Sequence, residues 1–343
     1  MTTQARTRAA TINDVARVAG VSRAAVSKVL RDAYGVSDAM REKVNAAIDE
    51  LGYRPRVSAR GMRGATFTIG IELPNLDNPF FSDLVSGATS RLLGEPYQLI
   101  VAPASPANAE GERAIQALTD RQVDGVIAIS PEVEQSWLED VAAAVPLVML
   151  GRHDDTREYD TVVGDDAAGT RLVLEHLLGL GHRRIAHLTL PESVTVERPN
   201  TTHGVREAAY RRIMADAGLA GEIRVVNVEP DPETVYAATR DLIDGPDRPT
   251  AVFAAHDELA LTVLRAVADA GPAGGDVSVV GYDDTWIARH PLISLTSVNQ
   301  SGQHMGGRAI DLLLDRVAGR KHPVHEVVAP RLLVRESSRA PTA

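Results

Sequence analysis

The sequence predicts an α/β protein in two parts: a small head of three helices, then a larger body of parallel sheets covered by helices. Three observations carry this. Near the N-terminus two short amphipathic helical patterns meet at a glycine and a third follows. Beyond Phe67, short β-rich runs alternate with helical ones almost to the end. Charge divides at the same place: residues 1–64 hold 12 Lys+Arg against 6 Asp+Glu, net +6, while the whole 343-residue chain is net −10. A basic head on an acidic body suits a protein that meets phosphate with one end only.

The stretch Thr11 to Leu30, T-I-N-D-V-A-R-V-A-G-V-S-R-A-A-V-S-K-V-L, reads as a helix-turn-helix, whose second helix enters the DNA major groove. Thr11 caps the first helix, and Asp14 favours its positive end. Ile12, Val15, Ala16 and Ala19 share one apolar face. Gly20 supplies the positive φ of the turn, and Ser22 caps the second helix. Val26, Val29 and Leu30 turn inward, leaving Arg23, Ala24, Ser27 and Lys28 outside. A third helix is expected from Ser37 to Leu51, stopped by Gly52 and Tyr53-Arg54-Pro55. Residues 56–63, R-V-S-A-R-G-M-R, form a segment too short to be a stable helix alone, weakened further by Gly61. A linker helix that forms only when something stabilises it is expected there.

In the body, I-G-I-E-L, Q-L-I-V-A, G-V-I-A-I, L-V-M-L, R-I-A-H-L, R-V-V-N-V, A-V-F-A-A and V-S-V-V-G are the strand candidates. Helical stretches fall between them, among them Phe80 to Leu93, Ala107 to Arg121 and Asp257 to Ala270. So many units would make one very wide sheet, so two similar lobes are expected, with a ligand cleft at the carboxyl ends of the strands. The chain has no cysteine, no apolar run of membrane-spanning length and no signal-peptide core at its start, so a cytoplasmic location is expected.

An enzyme is the rival reading, since Asp154/Asp155, Asp165/Asp166 and Asp283/Asp284 are paired acids. Neighbours in a strand point to opposite faces, however, and no Gly-x-Ser-x-Gly, Gly-Lys-Ser/Thr or His-Glu-x-x-His motif occurs. His176, His182 and His187 fit no metal spacing and are expected at the surface or at caps. No cofactor or metal is expected. A periplasmic solute-binding protein is a second rival, opposed by the basic head.

These pieces, with V-S-D-A-M-R-E-K-V, L-G-Y-R-P, N-P-F-F (78–81), V-D-G-V-I (123–127), L-G-H-R-R-I-A (180–186), V-S-V-V-G-Y-D-D (277–284) and L-V-R-E-S (333–337), resemble the lactose-repressor/galactose-repressor family of bacterial transcription regulators over about residues 11 to 337. The resemblance implies a DNA-binding domain at 1–55, a hinge helix at 56–64, and a core at 65–337 similar to periplasmic sugar-binding proteins. Its N-lobe would span about 65–164 and 299–326, its C-lobe about 165–298 and 327–337, with 338–343 as a tail. It further implies a homodimer on a near-palindromic operator, most often repressing, and a small-molecule effector, a carbohydrate or related polar metabolite, in the cleft.

By position in the family's motif, Arg23, Ala24 and Lys28 read base edges, while Thr11, Ser22, Ser27 and Ser37 hold phosphates. Ala59 and Met62 enter the minor groove, Met62 standing where leucine is usual. The resemblance places Asn78, Phe80, Phe81, Arg152, Thr201, His256 and Asp283 around the effector. There Asp283 would accept bonds from sugar hydroxyls, and Phe80 would cover an apolar ring face. Two departures stand out. His256 replaces the usual asparagine, either donating to an oxygen or carrying charge below neutral pH, or else only satisfying a local bond. Thr201 replaces an arginine, for which Arg152 is the expected substitute, favouring an anionic or strongly polar ligand.

Overall fold

The structure is a computed structural model that describes residues 10–30, 33–53, 65–104, 108–271 and 277–342. The expected hinge, with Ala59 and Met62, lies outside the described residues. The chain divides into two compact units, Met1–Thr66 and Phe67–Ala343.

In the first unit the helices are α1 (Ile12–Ala19), α2 (Arg23–Val29) and α3 (Asp38–Leu51). Thr11 forms a reciprocal capping box with Asp14, and Ser22 and Ser37 cap α2 and α3 through the amides of Ala25 and Met40. Gly20 (φ 66°) and Gly52 (φ 57°) terminate α1 and α3 in the left-handed region. Val15, Ala16, Val26, Val29, Val44 and Ala47 make the shared core. Each comes from the apolar stripe legible in the sequence.

The second unit is built on two six-stranded sheets. The elements of the first are β1 (Thr68–Leu73), α4 (Pro79–Arg91), β2 (Gln98–Pro103), α5 (Asn108–Thr119), β3 (Gly125–Ile129), α6 (Gln135–Ala144), β4 (Leu147–Leu150) and β5 (Asp160–Gly164). The chain then enters the second sheet through α7 (Asp166–Gly179), β6 (Ile185–Thr189), α8 (Glu192–Thr195), α9 (Thr202–Asp216), β7 (Arg224–Asn227), α10 (Pro232–Asp244), β8 (Ala251–Ala254), α11 (Asp257–Asp269), β9 (Ser278–Asp283) and β10 (Thr296–Asn299). It returns with α12 (Gly302–Val317) and β11 (His325–Val328), and crosses back to β12 (Arg331–Leu333). Strand order is β11-β5-β4-β3-β1-β2 in one lobe and β12-β10-β9-β8-β6-β7 in the other, parallel except where β12 meets β10.

The sequence pattern missed four strands, β5, β10, β11 and β12. These runs are short and mix in polar residues, so they carry little β signal alone. The fold makes them strands by satisfying those side chains. Buried Asp160 on β5 receives Arg320 and Arg316, and buried Thr296 on β10 bonds Ser338.

Two further expectations change. His182 and His187 are wholly buried rather than superficial. His182 links Thr250 to the Arg339 carbonyl, and His187 bonds the Phe253 carbonyl while stacking on the Phe253 ring. The Arg339 carbonyl and Ser338, assigned from the sequence to a tail, are thereby part of the second lobe, Ser338 also meeting His176. Sequence periodicity cannot show a histidine its distant partners.

In the first lobe α4 and α12 cross so closely that a Cβ on Gly87 would stand 1.9 Å from the Gln303 carbonyl oxygen. One on Gly306 would stand 2.0 Å from that of Leu84. Glycine at both positions permits the contact. The same crossing holds α12 in place after Gln300, whose side-chain amide donates to Asp283 at the end of β9.

Candidate functional site

On the head, α2 presents Arg23, Ala24 and Lys28 fully outward, with Ser27 half-buried beside them. Their spacing places 23 with 27 and 24 with 28 on neighbouring rows of one helical face. Thr11, Ser22 and Ser37 stand at three helix starts, where free backbone donors and a positive dipole end suit phosphate. Cap and phosphate contact are compatible roles for one serine.

In the second unit, the carboxyl ends of strands from both lobes converge on a polar cluster. Several non-glycine residues there hold positive φ: Ser130 after β3 (45°), Asp283 at the end of β9 (107°), Asp284 (50°) and Ser301 after β10 (61°). Strained backbone of this kind persists where surrounding contacts over-determine it. Arg206, near the start of α9 and 2% exposed, is the centre. Its Nε donates to Asp166 (2.8 Å), its Nη1 to the Ala255 carbonyl (2.7 Å), and its guanidinium carbon lies 3.6 Å from the Tyr282 ring centroid. The other oxygen of Asp166 meets His153 Nε2 at 2.8 Å, joining the two lobes.

Burial opposes the charge of Arg206, but Asp166, Tyr282 and Asp283 raise its pKa overall. Burial also pushes the Asp283 carboxyl well above its usual range, against the pull of Arg206. Gln300 donates to Asp283 from the crossover between β10 and α12. His256, at the start of α11, is held down to about 3 by burial and by Arg206. His203 is lowered well below its ordinary value, by burial first and then by Arg206, His256 and His187. The two rings meet edge to face at 5.8 Å.

Of the residues expected around an effector, His256 and Asp283 both come under the charge of Arg206. Asn78 caps α4 through the Phe80 amide. Beside it, burial and then the charge of Asp77 raise Glu258 in the first turn of α11. Phe80 is buried in the first lobe's core instead of offering a face, because α12 passes over it at Gly302. Phe81 lines an apolar cavity of about 350 Å³ with Leu73, Leu76, Val85 and Val101, and no residue of the second lobe takes part.

Arg152 does not replace the missing arginine. It is 5% exposed and committed to Asp154 and to the carbonyls of Pro131 and Val133. Thr201 is likewise occupied, donating to the Val194 and Arg198 carbonyls and accepting from the Gly204 amide. These two residues form a β-bridge, and Asn200 donates to Asp154, so this pair of loops fastens one lobe to the other. The charged state allowed for His256 below neutral pH is removed by its burial beside Arg206. Sequence reasoning missed Arg206, Asp166, His203, His153 and Gln300. An Arg in the interior row of α9 was the one signal available. Among the described residues, no His/Asp/Glu group is arranged to hold a metal ion, and no helix is long and apolar enough to cross a membrane.

Residues 11–56 match the family profile of bacterial regulatory proteins of the lacI family, and residues 174–338 that of the periplasmic binding protein-like domain. The chain is 31% identical over 320 residues to the HTH-type transcriptional repressor PurR of Vibrio atlanticus, covering 91% of this chain and 93% of that protein. It is 32% identical over 320 residues to the ribose operon repressor of Escherichia coli, covering 90% and 93%. The crystal structure of the Lac repressor dimer bound to operator and the anti-inducer ONPF superposes with a TM-score of 0.81 at 27% identity, over 97% of this chain and all of that one. With a capped helix-turn-helix and a two-lobed α/β core along nearly the full length of such relatives, the chain belongs to the lacI family of bacterial regulatory proteins, as a transcriptional regulator and not an enzyme.

Proposed function

We propose that this chain is a repressor that grips a near-palindromic operator as a homodimer and releases or tightens that grip when a small polar metabolite occupies the interlobe cleft. The outward face of α2 carries the reading: Arg23 and Lys28 are exposed beside Ala24 on a helix whose start is capped by Ser22. Arginine and lysine there suit the O6 and N7 of guanine, and Ala24 suits a thymine methyl. Thr11, Ser22, Ser27 and Ser37 set register on phosphates. Ala59 and Met62 are assigned to the minor groove on the family motif alone.

The domain plan follows: residues 1–55 bind DNA, 56–64 connect, and the two lobes bind the effector and the partner copy. His256, Asp283 and Asn78 belong to the effector side. Arg152, Thr201 and Phe80 support it from behind. The ribose operon repressor that this chain resembles, and a lacI family regulator solved with bound ribose, point to a sugar-like ligand. Ligand and operator then alter each other's affinity by one common factor, whichever its sign.

Selection of duplexes from a random library by the purified full-length chain tests this. Enrichment of an inverted repeat is expected. A flat, unenriched pool at every round, with and without a metabolite extract, would overturn it.

A further inference from the structure

We propose that the cleft contains a subsite, lined by His203 and His256, that takes an uncharged hydrogen-bonding group of the effector, a hydroxyl or amide, and excludes phosphate and carboxylate. The inference rests on the cleft being the effector site.

Nδ1 of His256 and Nδ1 of His203 are both enclosed and have no hydrogen-bond partner. His256 itself is only 7% exposed. Enclosed polar atoms are ordinarily satisfied by protein, ordered water or a ligand. Here two lie on adjacent rings, 5.8 Å between centroids, at the starts of α9 and α11, beside the Arg206 that also acts on Asp283. Nearby Thr201 offers nothing further, because its hydroxyl is bound within its own loop.

The charge around the rings decides the ligand class. Arg206 is neutralised by Asp166, and Arg152 by Asp154. Asp77 and Glu258 add negative charge from the two lobes, Glu258 lying 3.9 Å from His256 Nδ1. An entering phosphate would therefore meet carboxylates and two arginines already paired. Burial and Arg206 also keep both imidazoles neutral. A neutral imidazole offers one donor and one acceptor nitrogen, and a hydroxyl or amide can complement either. The missing arginine at Thr201 is thus replaced by a neutral pair and not by another cation.

Calorimetric titration of the full chain with matched probes tests this: ribose and ribose 5-phosphate, glucose and glucose 6-phosphate, adenosine and adenosine monophosphate. At least one uncharged probe is expected to bind, with its phosphorylated partner weaker by roughly 100-fold, as burying an unpaired charge requires. His256→Phe and His203→Phe should each weaken that probe by about 10-fold, the cost of a lost buried hydrogen bond. His256→Asn and His203→Gln, which keep a polar group and serve if the Phe variants fail to fold, should stay closer to the parent protein.

A phosphorylated probe binding as well as its partner overturns the proposal, as does binding unaffected by either Phe variant in a folded protein. Binding by no probe in the set, while the chain still selects an inverted repeat, overturns instead the effector reading of the cleft on which the proposal rests.

Discussion

Arg206 lies 3.6 Å above the ring centroid of Tyr282, and that contact ties the start of α9 to the end of β9. Tyr282 precedes Asp283, and the Ala255 carbonyl bound by Arg206 precedes His256. One buried guanidinium thus sets the backbone on which both candidate effector contacts stand. Through Asp166 it also reaches His153 in the other lobe.

Arg206→Met should destabilise the second unit by roughly 3–5 kcal/mol, because Asp166 is left as a buried charge without its principal partner. Arg206→Lys restores part of this, since a single ammonium cannot serve Asp166 and the Ala255 carbonyl with the same geometry or stack as well on Tyr282. Urea unfolding followed by circular dichroism reads the difference. Equal stability of the Met variant and the parent would remove Arg206 from this role.

Gly87→Ala and Gly306→Ala should each cost about 1–3 kcal/mol, the usual penalty for overpacking a close contact. Backbone carbonyls from the facing helix occupy the space the new methyl needs, so α4 and α12 must separate. Gly179→Ala at the end of α7 is the control: nothing lies within 4 Å of its added Cβ, and helix propensity makes it neutral or stabilising. Thermal melts of the three variants are the measurement.

Glu72 should make stability depend on pH above the acid range. It is wholly buried on β1, accepts from the Ile129 amide and leaves its second oxygen without a partner. Burial raises its pKa from 4.5 to about 8, against the Ile129 bond. The raised folded value means its stabilising contribution is full below 4.5 and is lost as pH rises towards 8. The slope is about 1.4 kcal/mol per pH unit for one proton. Glu72→Gln should therefore gain stability relative to the parent at pH 8 and show little gain at pH 4.5. A constant difference between the two melting curves across that window would contradict the assignment.

Arg23→Ala should cost about 1–3 kcal/mol on the selected operator and relax preference at one base pair in each half-site. Ser22→Ala should instead weaken all duplexes alike and also lower the stability of the head, by about 1 kcal/mol for its lost cap. Gel shifts on the selected site and its single-base variants, beside melts of the head, separate the two effects.

The head was legible in the sequence because its determinants are local. Caps at Thr11, Ser22 and Ser37, left-handed glycines at 20 and 52, and apolar residues three and four apart act within a few residues of one another. Strong strand runs such as G-V-I-A-I were legible for the same reason, whereas the loss of arginine at Thr201 was legible only against the family's motif. What replaced that arginine was not. Asp166 and Arg206 stand 40 residues apart, and Arg206 reaches Ala255 across 49 more. Only folding buries them together. The neutrality of His256, the commitment of Arg152 to Asp154 and the withdrawal of Phe80 into the core have one origin. Protonation and availability depend on dielectric and on partners that tertiary packing supplies, and neither is written in the residue type.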